Sequence, residues 1–199
     1  MKDFLISIRT TLVTLALTGL CYPLLTTGIA LLVFPKQAQG SLVADGRGQI
    51  AGSELIGQPF AGAAYLNPRP SAAGEKGFDA TASGGSNLGP TSKALHDRVS
   101  KDLAQLIADN PQSPGDVPVE LVSASASGLD PHLSPKAALW QVPRIAHARG
   151  IAEERVRIVL EAQIEGRDLL VLGEPRVNVL LANLALDRMF GQPPAVAGR

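Results

Sequence analysis

TTLVTLALTGLCYPLLTTGIALLVF, residues 10–34, contains no charged side chain. About twenty apolar residues suffice to carry a helix across the hydrocarbon core of a bilayer, and this run is longer. Thr10, Thr11, Thr14, Thr18, Thr26 and Thr27 interrupt it, but a threonine hydroxyl in a helix can bond a carbonyl one turn back. Pro23 removes one backbone N–H and predicts a bend in mid-helix. Lys2, Asp3 and Arg9 precede the run, and Lys36 follows Pro35. The predicted organisation is a short flank over 1–9, a transmembrane helix over 10–34, a single soluble domain over 35–191 and a flexible tail over 192–199.

A cleaved signal peptide is the competing reading, because Ala38-Gln39-Gly40 before Ser41 has a small-x-small pattern. A signal core usually spans about 7–15 residues, and the uncharged run is clearly longer, so a retained anchor is expected. Lys2, Arg9 and the terminal amine lie on one side of the helix, Lys36 and Arg47 on the other. That balance leans towards a cytoplasmic N-terminus and a soluble domain outside the cytoplasm.

Composition agrees with this division. The 199 residues suit one domain plus a membrane segment. With 18 basic and 18 acidic residues, a broad electrostatic grip on nucleic acid is not expected. Hydrophobic residues reach 45% while charged residues reach only 18%, an imbalance that the uncharged run accounts for. Cys21 is the only cysteine, so no disulfide can form within the chain and a cysteine-based metal site is not indicated.

Beyond the anchor the pattern is mixed, which predicts an α+β or mixed α/β domain. Leu42-Val43 and Leu55-Ile56 read as short strands, with turns at Asp45-Gly46 and Ala51-Gly52. Residues 59–90 are rich in Gly, Ser, Pro and Ala; Tyr65, Leu66, Phe78 and Leu88 should anchor them as an ordered loop. Thr91 or Ser92 can cap a helix whose apolar stripe is Leu95, Val99, Leu103, Leu106 and Ile107, stopped by Asn110-Pro111. Val117 to Val122 reads as a strand, and Ser123 to Pro131 as a second small-residue loop. Ser134-Pro135 starts a helix that Pro143 kinks or splits and Gly150 ends. A helix over Glu153–Ile164, a strand over Leu169–Leu172 and a last helix over Pro175–Phe190 complete the prediction.

Four motifs invite a chemical reading. Ala82 to Asn87 could form a nest of backbone N–H groups around a phosphate, but it lacks the P-loop spacing and its lysine, so a tight packed turn is expected. Ser125, Ser127, Asp130 and His132 bring hydrolase residue types close in sequence; a membrane-anchored hydrolase using Ser125 or Ser127 with His132 is the alternative function. Triads converge in space rather than in sequence, and no Gly-x-Ser-x-Gly elbow is present. The three histidines are scattered, so no zinc pattern arises. Arg144 to Leu160 has helix-turn-helix spacing, but Glu153 and Glu154 stand where phosphate contacts would be needed. A core helical hairpin is expected instead.

A resemblance runs nearly end to end. Its pieces are Tyr22-Pro23-Leu24-Leu25-Thr26-Thr27, Gln37 to Leu42, Leu55 to Phe60, Arg69-Pro70-Ser71-Ala72, Ala82 to Leu88, Ser123 to Pro131, Trp140 to Arg144, Val177-Asn178-Val179 and Asn183 to Asp187. In this order and spacing they resemble the C component of the Kdp-type potassium-transporting P-type ATPase. The resemblance implies a non-catalytic accessory subunit, single-pass in the cell inner membrane. Its implied partners are a channel-like potassium-binding subunit, a P-type ATPase subunit and a small single-span subunit. It implies no cofactor of the chain's own; ATP would come through the complex. Gln141 is the position nearest the family's proposed nucleotide-contacting glutamine, although the residues show no Walker lysine or magnesium-binding cluster. Small residues let another backbone approach closely. Gln58, Arg69, Pro70, Ser71, Ser83, Gly84, Gly85, Ser86, Asn87, Ser127, Gly128 and Asp130 are therefore the candidate contacts with other subunits. Gly19, Gly28 and Ala30 are the candidate packing face of the membrane helix.

Overall fold

The structure is a computed structural model that describes residues 1–60 and 62–193. It divides into two compact units, Met1–Leu42 and Val43–Arg199. The last residues of the tail expected at 192–199 lie outside the described residues.

The first unit is helical. Helix α1 (Lys2–Ala16) continues through a π turn (Leu17–Cys21) into α2 (Tyr22–Val33), and a short α3 (Pro35–Ala38) follows. Lys2–Val33 forms one run of 32 residues, long and apolar enough to cross a membrane. At 1.5 Å per residue it is about 48 Å long, so the charged flank is helical as well. The disturbance expected at Pro23 appears just before it. A straight helix would drive the Pro23 ring against the carbonyl four residues back. Here the preceding turn is widened, and the Tyr22 N–H bonds the carbonyl of Leu17, five back. Thr18 donates its hydroxyl to the Thr14 carbonyl at 2.8 Å, and Thr26 to that of Tyr22 at 3.0 Å. Those hydroxyls are thereby satisfied without water.

The second unit is α+β. Strands β1 (Leu42–Ala44) and β2 (Ile50–Ser53) form a two-stranded sheet. The Asp45 carboxylate closes the turn between them by accepting from the N–H groups of Arg47 and Gln49. The described residues among 54–92 carry no regular element, and α4 (Lys93–Asp109) follows, with the Ser92 hydroxyl capping the Leu95 N–H. No residue of α4 is buried, and Leu103 and Ile107 are 37% and 54% exposed, so its apolar stripe is only half covered.

The core lies further along the chain. Strand β3 (His132–Leu133) and strand β4 (Ile164–Glu165) flank β5 (Arg176–Asn178) in an antiparallel sheet of order β3-β5-β4. Val177, opposite both Leu133 and Ile164, is fully buried. Helices α5 (Pro135–Trp140), α6 (Val142–Arg149), α7 (Glu153–Glu161) and α8 (Val179–Phe190) enclose Leu66, Ile145, Val156, Leu160 and Leu186. Ser134 caps α5, and Gly150, at φ +65°, ends α6. The split expected near Pro143 falls at Gln141, which leaves Pro143 in the first turn of α6, where a missing N–H has no partner to lose.

Several expected elements differ. Leu55-Ile56 is not a strand and Ala51-Gly52 is not a turn; β2 covers Ile50–Ser53. Val117–Val122 holds a short 3₁₀ turn (Val119–Leu121), since Pro118 cannot donate to a ladder. Helix α7 stops at Glu161, because Ile164 pairs with Val177. Leu169–Leu172 is the exposed end of the β4–β5 hairpin. Helix α8 begins at Val179, capped by Asn178, and Arg176–Asn178 belongs to the sheet. Leu88 is exposed, whereas Leu66 is fully buried.

Candidate functional site

Two small-residue loops are joined by their main chains, through residues more than forty apart in sequence. The Gly57 N–H donates to the Leu129 carbonyl at 2.7 Å, the Gly84 N–H to Ser127 at 2.9 Å and the Ser125 N–H to Pro70 at 3.1 Å. Side chains add to the seam. Ser71 Oγ donates to the Gly128 carbonyl at 2.6 Å and accepts from the Phe78 N–H at 2.7 Å. Ser83 Oγ donates to the Ser127 carbonyl at 3.0 Å.

The seam needs glycine at Gly57, Gly85 and Gly128. Gly128 sits at φ +69°, and a Cβ there would lie 2.6 Å from the Cβ of Ala73; one on Gly85 would lie 2.9 Å from the Ala126 carbonyl oxygen, and one on Gly57 would lie 2.7 Å from the Asp130 carbonyl oxygen. Real side chains do not tolerate such distances, so the loops meet backbone to backbone.

An open groove of about 840 Å³ runs along this seam, lined by Leu55, Ile56, Arg69, residues 85–87, residues 124–127 and residues 129–131. Of the sequence candidates, Arg69, Gly85, Ser86, Asn87, Ser127 and Asp130 line it. Pro70, Ser71, Ser83, Gly84 and Gly128 do not line it but join the seam through the bonds above. Gln58 lies away from the groove wall, beside Gly52.

One charged cluster marks the groove. Arg69 Nη1 bonds Asp130 Oδ2 at 3.0 Å, and His132 Nδ1 lies 3.5 Å from Asp130 Oδ1. The neighbouring His132 imidazole, then the His132 N–H and the Arg69 charge, hold the Asp130 carboxyl below the usual carboxylate range, against the opposite pull of burial. The hydrolase alternative does not take shape here. The hydroxyls of Ser125 and Ser127 bond each other and the N–H groups of Gly128 and Leu129, and His132 faces Asp130. Among the described residues neither serine is hydrogen-bonded to His132, and no cluster of metal-ligating side chains forms.

Gln141 is elsewhere, and it is 1% exposed. Its Oε1 accepts from the Asn67 N–H at 2.9 Å and from Arg144 Nη2 at 2.6 Å. Its Nε2 donates to the Asn67 carbonyl at 3.1 Å and the Ala137 carbonyl at 3.4 Å. Asn183 treats Leu66 likewise, accepting from its N–H at 2.8 Å and donating to its carbonyl at 2.9 Å. The two amides act as a substitute strand for a loop that has none. Arg144 donates to the carbonyls of Gly62 and Ala63, and Arg149 to that of Ala64. Burial pushes the Arg144 guanidinium down to about 10. Asp187 accepts from Arg149 at 2.7 Å and from the Tyr65 hydroxyl at 3.1 Å. Burial, then the Asp187 charge, raises the Tyr65 phenol. Sequence reasoning passed over Arg144, Arg149 and Asn183 as structural staples. Two of them, Arg144 and Asn183, lie in the segments that carried the resemblance.

Among the described residues, one apolar helix of membrane-spanning length followed by an α+β domain with an open groove defines the class of protein. Comparison with known families places it more closely. Residues 4–188 match the family model described as KdpC: K+-transporting ATPase, c chain. Relatives carrying the description "Potassium-transporting ATPase KdpC subunit" include one from Myxococcus xanthus, 60% identical over 98% of this chain and 92% of the relative. Another, from Methylobacterium nodulans, is 53% identical over 88% of this chain and 92% of the relative. A third, from Rhodopseudomonas palustris, is 54% identical over 86% and 89%. The chain belongs to the KdpC family, the c chains of the K+-transporting ATPase, which are subunits of that complex and not its catalytic part.

Proposed function

We propose that this chain is an accessory subunit of the high-affinity, ATP-driven potassium uptake complex, and that it works by assembling or stabilising the larger subunits. In this reading its partners are the channel-like potassium-binding subunit, the P-type ATPase subunit and a small single-span subunit. On the same reading the helix over Lys2–Val33 anchors it in the inner membrane with the domain outside the cytoplasm, an orientation towards which the charge balance around that helix leans. ATP belongs to the complex, and any rise in the ATPase subunit's ATP affinity is transmitted through the interface between the two proteins. Gln141, committed to Asn67 and Arg144, takes part by holding the loop in place.

One observation carries the proposal. The groove is walled by two loops locked main chain to main chain, which makes a preformed surface that a partner's backbone can approach closely. Ala126 is an exposed wall residue whose side chain is a methyl group. Ala126→Arg should leave the fold intact and block the groove. Purified in mild detergent from cells expressing the whole complex, the wild-type chain should bring the other subunits with it, and the variant should bring markedly less. Recovery of the wild-type chain as a lone, stable monomer would overturn the reading.

A further inference from the structure

The β4–β5 hairpin ends in Leu169-Leu170-Val171-Leu172, and these four consecutive residues are 83%, 89%, 72% and 56% exposed. The chain pays for this display in backbone strain. Leu169 and Leu170 stand at φ +51° and +67°, successive left-handed residues of the kind hairpins normally assign to Asn-Gly, and a branched side chain there is disfavoured. The tip is nevertheless well held. Asp168 and Leu172 exchange both main-chain bonds, at 2.9 and 2.8 Å, and the Val171 N–H bonds the Asp168 carbonyl. Arg176 reaches Glu165 at 3.0 Å and Asp168 at 3.2 Å, and Arg167 reaches Glu174 at 2.8 Å. An ion-paired collar thus supports an aliphatic knob.

Apolar tips serve lipid surfaces or protein sockets, and the collar separates the two. A membrane-inserting tip draws on unpaired Lys or Arg for lipid phosphates and on Trp or Tyr at the interface. Residues 165–176 contain no aromatic residue and three acids against two arginines, and both arginines are already paired with those acids. That surround is uncharged to weakly acidic and offers an anionic bilayer nothing. Pairing of two copies tip to tip is also disfavoured, since four side chains fall far short of the roughly 1,200 Å² a stable interface buries. A small knob is enough where the partner is already held nearby, because tethering supplies the effective concentration.

We infer that the Leu169–Leu172 tip is a docking knob that enters an apolar, polar-rimmed socket on another subunit of the same membrane complex. This rests on the accessory-subunit reading above and adds a second contact, separate from the groove. The test uses the full chain within the complex. Leu169→Asn with Leu170→Gly installs the residues this turn prefers and removes the apolar tip. The double variant should melt at the same temperature as wild type or higher. Its retention by the complex in detergent should nevertheless fall about tenfold or more, as loss of a central apolar anchor does. A photo-crosslinking residue at Leu170 should label a partner subunit. Undiminished retention of the variant, or crosslinks only to lipid, only to a second copy of the chain or to nothing, would overturn the knob while leaving the accessory reading in place. A wild-type chain recovered alone would overturn that reading, and the knob with it.

Discussion

The amide of Gln141 bonds both main-chain groups of Asn67 and also Arg144, so its removal leaves several polar groups unpaired at once. Each such orphan costs about 1–3 kcal/mol. Gln141→Ala should therefore destabilise the domain by about 3 kcal/mol, measured by thermal or urea unfolding of the full chain in detergent. Gln141→Glu keeps the acceptor but turns a carboxylate oxygen towards the Asn67 and Ala137 carbonyls, and it should also be destabilising. A variant that melts like wild type while the complex loses its response to nucleotide would favour direct nucleotide contact instead. Asp130 permits a test by pH. Its folded carboxyl titrates below its unfolded value of about 4. Its contribution to stability is therefore present above that value and is lost as pH falls through the lower, folded one. The melting temperature of Asp130→Asn should decline less steeply than that of wild type between about pH 5 and pH 3. Equal slopes would mean that Arg69 and His132 do not hold the carboxylate in solution.

At the scale of elements, helices were legible wherever a cap and an apolar stripe coincided, as at Ser92 and at Ser134-Pro135. The short strands were not. Strands β3, β4 and β5 span two or three residues each, too few for alternation to show, and their pairing is set by partners distant in sequence. Asn178 illustrates the difficulty. It ends β5, caps the Leu181 N–H at 3.2 Å and donates to the Glu54 carbonyl at 2.7 Å, so the strand gives way to helix without an intervening loop. Replacing it with Ala removes the cap and the tie to Glu54 together. A loss of about 1–2 kcal/mol is expected, readable as a lower urea midpoint at unchanged slope. The groove was legible as composition, two loops rich in Gly and Ser, but its geometry was not, because every bond across the seam, the Arg69–Asp130 pair apart, uses a main-chain group. Gly128→Ala tests that seam. The positive φ and the 2.6 Å approach to Ala73 combine to a cost of about 2–4 kcal/mol. A near-neutral result would show that the loops can separate without loss.

For the whole molecule, the decisive question is whether the first helix stays attached to the domain. Lys2–Val33 has none of its apolar window buried, so a chain that kept this helix in water would expose its uncharged residues 10–33, about 36 Å of apolar cylinder. Such a surface leads to aggregation or to a bilayer. The small-residue pattern at Ala38-Gln39-Gly40 offers a way out by cleavage, but Phe34 to Ser41 is wound into α3 and its closing turn, with the Ser41 N–H on the Lys36 carbonyl at 2.9 Å. A peptidase needs that segment extended, so cleavage in the folded chain would first have to unwind it. The full-length chain should remain in the membrane pellet after an alkaline carbonate wash, and its intact mass should include the first helix. Added protease should digest the domain once the outer envelope is opened, with the inner membrane still sealed. A soluble chain starting at Ser41 would refute the anchor. A domain digested only after the inner membrane is lysed would keep the anchor but place the domain inside, where the groove and the hairpin tip would need cytoplasmic partners.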